Sequence, residues 1–578
     1  MDMSHFDLKH CAGIVADSSD ETIGFAAAEL RRGLERASGL ELADSGWRFR
    51  LETKSEKDDE FELTVASGDI IIRGANPRSV LFGVYTLLEE GLGVRYFHIG
   101  EETWPSHAVT QFVVPAQQSR PAVRIRGFMQ EHVDDAALGV QIIDFTAKNR
   151  GNAVFVHFSD IETAGDTLIT EARKRGLEFT VGGHSCTRFL THDGKASGDQ
   201  LYAERLQLCY SNDAIVGELC RNIAAYLRKH PGINRLSLWP SDSKNDCDCD
   251  KCRTTSFNYR YIRFMERLQS HLDSLGIAVQ VEHIAYNAGL SEAMMGLPDF
   301  KPGESDKTDT LFAYWGRDYR KSMDEVETEP DRHGRKCVND WAKHRNSQPG
   351  REFRMIEYYN DFWMMTKYFP FLAPVIGRDA KFFHEAGVSG VISLIVPGRY
   401  MDLKDSGYPW EWIMGVNSRA MCRALWQGGL DAEAFADDYL KCYYDNQAAA
   451  REIYRLVEEL LPEVTSFNVP LFRLRFPDLW IRDNDKGEFA PDPWSSSLPQ
   501  TPDEKRRDAF CMLAAGRFAE LASRLEYLPE LTGNGRKIKK YFQYLAGSFA
   551  ALAFQLHAQE MMRRGPMGAK MTRFRGGR

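Results

Sequence analysis

The chain has 578 residues, 43% of them hydrophobic and 12% aromatic, which is enough apolar mass for several cores and too much chain for one ordinary domain. A net charge of -9 and a sequence pI of about 6.0 remove electrostatic support for a nucleic-acid role. No run of about 18 apolar residues occurs, so no membrane-spanning helix is expected.

The N-terminal stretch MDMSHFDLKHCAGIVAD has no apolar signal core. The expectation is a cytoplasmic protein, or a secreted one whose leader has been removed. From there, Ala12 to Val15 reads as a strand. Thr22 to Ser38 reads as an amphipathic helix, with Phe25, Ala26, Leu30 and Leu34 on one face and Gly39 as the stop. Phe61 to Val65 and Ile70 to Arg73 are strands, and Gly68-Asp69 between them suggests a hairpin. A turn and a helix from about Pro77 to Glu89 come next. Together they predict a small α/β domain over 1–110 that serves as scaffold. Residues 99–120 are polar and punctuated by Pro105 and Pro115, and read as a linker.

From Val123 strands and helices alternate, which argues for a parallel sheet with helical crossovers. Strands are predicted at 123–128, 153–158, 177–181, 236–239, 278–285, 310–314, 353–358 and 388–396, with helices at 214–229 and 259–275. Eight such units predict an α/β fold with a (β/α)8 TIM barrel over 120–405. Beyond Trp410 strands fade. Segments 411–429, 431–444, 447–461 and 503–560 have helical periodicity, and 477–502 reads as a long Pro/Asp-rich loop. A helical C-terminal region over 406–578 is expected.

In such a barrel the chemistry sits at the carboxyl ends of the strands. Those ends carry Glu131, His184, Asp242, Tyr286, Asn287, Trp315, Arg317, Arg320, Arg399 and the run EYYND, Glu357 to Asp361. Aromatic faces stack on sugar rings, and amides and carboxylates bind hydroxyls. Glycosidic cleavage needs two carboxyls, one to protonate the leaving oxygen and one to attack or to activate water. Asp242 and Glu357 are the pair expected to do this, with Glu131 third. His184, Tyr286, Asn287, Arg317 and Tyr358 are expected, with Glu131, to hold the sugar. Glu357 lies inside an apolar strand, where a carboxylate is costly unless paired or functional. A salt bridge to Arg317 or Arg354 is the alternative for it.

The run CDCDKC places Cys247, Cys249 and Cys252 close together. With Cys209, Cys186 or His184 as a fourth ligand it would hold a structural zinc. A packed thiol loop without metal is an equal reading. No cofactor is expected for catalysis.

GANPRSVLFGVYTLLEEGLGVRYF resembles the N-terminal α/β domain shared by bacterial hexosaminidases and α-glucuronidases, through Gly74, Arg78, Gly83, Tyr85, Leu88 and Glu89. GLEFTVGGHS, QLCYSNDAIV, WPSDSKNDCDCDKC, VEHIAYN and MIEYYND together resemble domain of unknown function 4838, the barrel of glycoside hydrolase family 163. The resemblance covers roughly residues 10 to 430. It implies a glycosidase acting on a glycan, β-N-acetylglucosaminidase-like and in some members endo-acting. It also aligns Cys209 with a recurrent family cysteine, which favours Cys209 as the partner of the three-cysteine loop. The family's Pro-Asn-Asp-Gly is Pro240-Ser241-Asp242-Ser243 here, so the Asp is kept while the loop shape differs. The rivals are an α-glucuronidase-like hydrolase, in which Arg317, Arg320 or Arg399 would clamp a uronate, and a non-catalytic glycan-binding barrel. A metal-dependent hydrolase built on the cysteines is a further alternative.

Overall fold

A computed structural model of the chain describes residues 5–17, 19–42, 45–131, 133, 135–184, 186–190, 207–241, 246–286, 292–298, 307–315, 317–361, 371–396 and 410–452, with scattered residues from 455 to 550. Asp242, Asn287 and Arg399 lie outside the described residues, as do 477–502 and most of 503–560.

The first layer is a five-stranded sheet ordered β2-β3-β5-β4-β7, from β2 (Cys11–Val15), β3 (Trp47–Thr53), β4 (Phe61–Ala66), β5 (Asp69–Gly74) and β7 (Gln117–Ser119). The predicted hairpin is present, with β4 and β5 antiparallel. Two features were not legible. Trp47–Thr53 is a parallel strand in the middle of the sheet, hidden by its charged, alternating sequence WRFRLET. The predicted linker supplies β6 (Gln111–Val113), which pairs with β1 (His5–Asp7), and the edge strand β7.

Helix α1 (Glu21–Ser38) starts where the Asp20 side chain accepts from the Ile23 N–H, and stops at Gly39 with φ of 70°. Helix α2 (Pro77–Thr86) starts on Asn76, whose side chain accepts from Ser79 N–H, with Pro77 in its first turn. Gly74 and Gly83 are needed for close approach. A Cβ on Gly74 would lie 2.4 Å from Val80 N, and one on Gly83 2.6 Å from Ile72 Cγ2.

The second layer is a closed parallel barrel of eight strands: β8 (Ile125–Gln130), β9 (Ala153–His157), β10 (Glu178–His184), β11 (Arg235–Trp239), β12 (Gln280–Tyr286), β13 (Asp309–Ala313), β14 (Phe353–Asn360) and β15 (Gly390–Ile395), with β15 pairing back onto β8. All eight overlap the predicted strands. Their near-continuous burial explains their apolar sequence, because a parallel strand is covered on both faces. The helices among them include α3 (Ala136–Lys148), α4 (Phe158–Lys174), α5 (Asp213–Lys229), α6 (Phe257–Ser274), α7 (Glu329–Asn346) and α8 (Ala373–Ala386). Helices α9 (Trp410–Gln427) and α10 (Ala432–Lys441) come after the barrel, close to the predicted 411–429 and 431–444. No helix among the described residues is long and apolar enough to cross a membrane.

Two buried carboxylates join the layers. Asp59 accepts from Arg78 at 2.7 Å, from Arg126 of β8 at 3.0 Å and from Asn152 at 2.7 Å. Glu89 pairs with Arg150 at 3.2 Å, with Arg419 of α9 at 2.7 Å, and with Arg423. Burial pushes both carboxyls up, but the surrounding guanidiniums outweigh it and hold each down to about 2. Both groups therefore add stability above the ordinary carboxylate range, and that stability is lost as pH falls from about 4 toward 2.

Asp59→Asn leaves Arg126 buried without its counter-charge. It is expected to lower unfolding stability at pH 7 by about 3–5 kcal/mol, the usual cost of breaking a buried pair. Denaturant titration at several pH values checks this: the deficit should shrink between pH of about 4 and 2, and a variant as stable as wild type at pH 7 would remove the clamp from Asp59.

Candidate active site

The amino end of the barrel is closed by charge. Arg354 of β14 pairs with Glu282 of β12 through Nη2 at 2.7 Å and with Glu178 of β10 at 3.2 Å. Arg235 of β11 pairs with Glu178 at 2.9 Å, with Glu352 at 2.7 Å, and with Asp309. Strands β10 and β14 stand opposite each other in an eight-stranded barrel, so a direct bond between them crosses the lumen. These side chains therefore point inward. Side chains alternate along a strand, which turns Gly182 and His184, Ser237 and Trp239, Ile284 and Tyr286, and Leu311, Ala313 and Trp315 to the same side.

The rings bear out that direction at the carboxyl end. His184 lies 5.0 Å from the Trp239 ring and 5.9 Å from the Tyr286 ring, the second contact passing over β11. Phe155 of β9 meets Trp239 at 5.6 Å. Gly183, with φ of 116°, leaves room for the ring of His157, whose Cδ2 would lie 2.1 Å from a Cβ there. His184 Nδ1 sits 2.6 Å from Pro240 O, which sets the ring's orientation. Trp315 donates from Nε1 to Asp361 at 2.9 Å. Glu131, His157, His184, Tyr286 and Trp315 are half-buried, whereas the strand interiors beneath them are sealed. The result is a mouth of histidines, aromatic rings and a carboxylate over a charged floor.

The structure brings His184 and Tyr286 to this mouth, and leaves Glu131 half-buried just after the end of β8. It places the Glu357 and Arg317 side chains in the wall of the barrel. With Arg354 and Ile356 inward, Glu357 turns outward toward α8. There Arg317 Nη1 donates to Glu357 at 2.9 Å, Tyr319 OH donates to it at 2.8 Å, and Arg317 also pairs with Asp379 of α8. Tyr359 OH donates to Asp379 at 2.7 Å, as does Met323 N–H. The Glu357 side chain is 2% exposed and that of Arg317 1%. Arg317 thus completes a buried ion cluster. The salt bridge weighed as the alternative for Glu357 is the one present.

A register shift in the β14–β15 pairing lies between Glu357 and Asn360. Tyr358 N–H bonds Tyr319 OH at 3.1 Å instead of a neighbouring strand. The extra residue re-aims the end of β14, so that Asp361 meets Trp315. Tyr358 itself is buried, with 5% of its surface exposed. His157, Trp239 and Asp361 complete the mouth. His157 was missed, although a polar residue ending the apolar run AVFV is the same signal that marked His184.

The four cysteines expected to cluster do so. The sulfurs of Cys209, Cys247, Cys249 and Cys252 all lie within 4.8 Å of one another. Cys209 Sγ is 3.8 Å from Cys249 Sγ and 3.7 Å from Cys252 Sγ. The other two proposed fourth ligands are engaged elsewhere: Cys186 donates to Trp239 O at 3.3 Å, and His184 faces the mouth.

Burial pushes the Glu357 carboxyl up to about 7, against the nearby Arg317 charge that it shares with Asp379. A carboxyl that binds its proton more tightly folded than unfolded costs stability once it ionises. The wild type should lose stability relative to Glu357→Gln as pH rises from about 4.3 to about 7. Melting temperatures of both proteins across that range check this, and a pH-independent difference would contradict it.

Residues 187–455 match the family described as a domain of unknown function, DUF4838. This match is narrower than the resemblance read from the sequence, and takes in β11 to β15 of the barrel. No curated protein matches the chain. Among solved structures, a GH138 enzyme targeting pectin rhamnogalacturonan II is similar with a TM-score of 0.59 at 12% identity, covering 95% of this chain and 70% of its own. A GH115 4-O-methyl-α-glucuronidase with specificity for decorated arabinogalactans is similar with a TM-score of 0.59 at 13% identity, covering 96% and 72%. A Streptomyces plicatus N-acetyl-β-hexosaminidase is more remote, with a TM-score of 0.45 at 15% identity, covering 79% and 92%. The first two likenesses support the fold alone: a closed eight-stranded parallel barrel with a small sheet layer. Over residues 187–455 the chain is similar to the DUF4838 family, and the rest of the barrel and the sheet layer lie outside that match.

Proposed function

We propose that the protein is a glycoside hydrolase that cleaves a glycan at the carboxyl-end mouth of its barrel. The observation behind this reading is the convergence of His157, His184, Trp239, Tyr286 and Trp315 with the carboxylate Asp361 over a charge-sealed floor, with Glu131 half-buried just after the carboxyl end of β8. A sugar would stack on the rings and bond the imidazoles and carboxylates. The ion pairs close the amino end of the lumen to it.

The carboxylate pair assigned in this reading is Asp242, on the loop after β11, with Glu131 at the end of β8. Glu131 is half-buried, whereas Asp361 is 1% exposed and held by Trp315. One carboxyl protonates the departing oxygen while the other attacks the anomeric carbon or activates water. Glu357 acts from behind the wall as a positioning residue, holding Tyr319 against the Tyr358 backbone at the bulge.

The substrate favoured is a neutral N-acetylated sugar, as in a β-N-acetylglucosaminide, with endo or exo action left to the substrate panel. Two of the three arginines that an α-glucuronidase-like enzyme would use to clamp a uronate are engaged by carboxylates: Arg317 by Glu357 and Asp379, and Arg320 by Asp318 at 2.9 Å.

The test is turnover of a panel of chromogenic glycosides and N-glycans. The wild type should cleave N-acetylglucosaminides and leave uronides intact. Asp242→Asn and Glu131→Gln should each lose at least about a hundredfold in kcat, the usual cost of removing a general acid or base. Glu357→Gln should retain more activity than either. Cleavage of uronides alone would select the glucuronidase-like reading. Glycan binding without turnover would replace both readings with a binding barrel, and a Glu357→Gln loss as large as the others would return that residue to the catalytic pair.

A further inference from the structure

We propose that Cys209, Cys247, Cys249 and Cys252 bind one zinc ion, and that this ion clamps the loop after β10 to the loop after β11 that carries Asp242.

The spacing of the sulfurs carries the proposal. A tetrahedral zinc with bonds of about 2.3 Å sets its sulfurs about 3.8 Å apart. Cys209 lies 3.8 Å from Cys249 and 3.7 Å from Cys252, and all four sulfurs fall within 4.8 Å of one another. A disulfide needs about 2.05 Å, so these are not bonded pairs. Four thiols converging from two separate loops leave no open position. That geometry suits a closed structural site and not a catalytic one. It also disfavours calcium, despite the interleaved Asp246, Asp248 and Asp250, because calcium takes oxygen ligands.

The surroundings are built for thiolates. Ser211 Oγ lies 3.4 Å from Cys252 Sγ and can donate to it once the thiol proton has left. Such bonds orient ligands and offset their charge. Binding releases four protons, and four thiolates around Zn²⁺ leave a net charge of two minus. Arg260 answers part of it, donating to Cys252 O at 2.6 Å while pairing with Asp246. Arg253, bonded to Asp248 O, and Lys251 flank the same turn.

The clamp has a consequence for the mouth. Cys209 lies just before α5, whose first turn is capped by Asn212. Cys252 sits in the one-turn helix Asp250–Arg253, which leads into α6. Gln207 Nε2 also reaches across to Ser241 O, next to Asp242. The ion would therefore fix a second point of contact between the two loops beside the Gln207–Ser241 bond.

The experiment measures metal by inductively coupled plasma mass spectrometry on the purified full chain, and needs no substrate. One zinc per chain is expected. Cobalt(II) exchanged into the site should give the intense near-ultraviolet thiolate charge-transfer and red tetrahedral bands of a sulfur-only site. Cys209→Ser and Cys249→Ser should lose at least nine-tenths of the metal, roughly a tenfold drop, while Cys186→Ser, whose thiol bonds Trp239 O, keeps it. Stripping zinc from the wild type should expose 241–252 to limited proteolysis. Wild-type protein that carries no zinc and takes up no cobalt would overturn the proposal, even if the variants fail to fold. So would a disulfide among these cysteines in the freshly purified chain, or metal that survives both cysteine variants. Metal that is present but leaves the proteolysis of 241–252 unchanged on removal would keep the site and overturn the clamp.

Discussion

The ion pairs across the barrel floor are the constraint on which the rest depends. Arg354 reaches Glu282 and Glu178, and Arg235 joins Glu178, Glu352 and Asp309, all at the amino ends of their strands. Charges at that depth are tolerable only when paired, so the register of five strands is tied to one arrangement. A one-residue slip in any of them would turn its charge out of the lumen and an apolar residue in. The floor is filled at the amino end, and the histidines and rings collect at the carboxyl end.

The sheet layer in front of the barrel is held by the same kind of interaction. The turn-helix whose sequence resembles hexosaminidases and α-glucuronidases contains few residues that could touch a substrate. Gly74 and Gly83 admit a close backbone and a neighbouring side chain, Arg78 holds Asp59, Tyr85 bonds Glu29 at 3.2 Å, and Glu89 gathers three arginines. Its residues serve docking: they bring β8, the turn after α3 and helix α9 against the sheet. The scaffold role expected for this segment has a physical content in these buried pairs.

Glu357 and Arg317 illustrate how a residue at a strand end can face the wall of the barrel. Both are polar residues at or just beyond the end of a barrel strand, which is the ordinary mark of a catalytic position. The period of two along β14 decides otherwise, because Arg354 is anchored inward and Glu357 is an odd number of residues away. The bulge after Glu357 then swings Asp361 to the mouth. An alternation count made from Glu357 alone, without an inward anchor, gives no direction.

The sequence by itself determined the eight strands of the barrel, the hairpin and first helices of the front layer, and the grouping of three cysteines. These are local signals: apolar runs, capping residues, turn pairs and close spacing. It also marked part of the mouth, since His184 and Tyr286 end apolar strands. Tertiary structure alone decided three things. The strand Trp47–Thr53 is fixed by parallel partners distant in sequence, which its charged alternation does not announce. Glu357 was turned to the wall by the floor charges and the register of its neighbours, which are long-range facts. Cys209 was brought to the other three by the packing of two βα loops, and proximity between residues forty apart in sequence is set by the fold and not by local spacing.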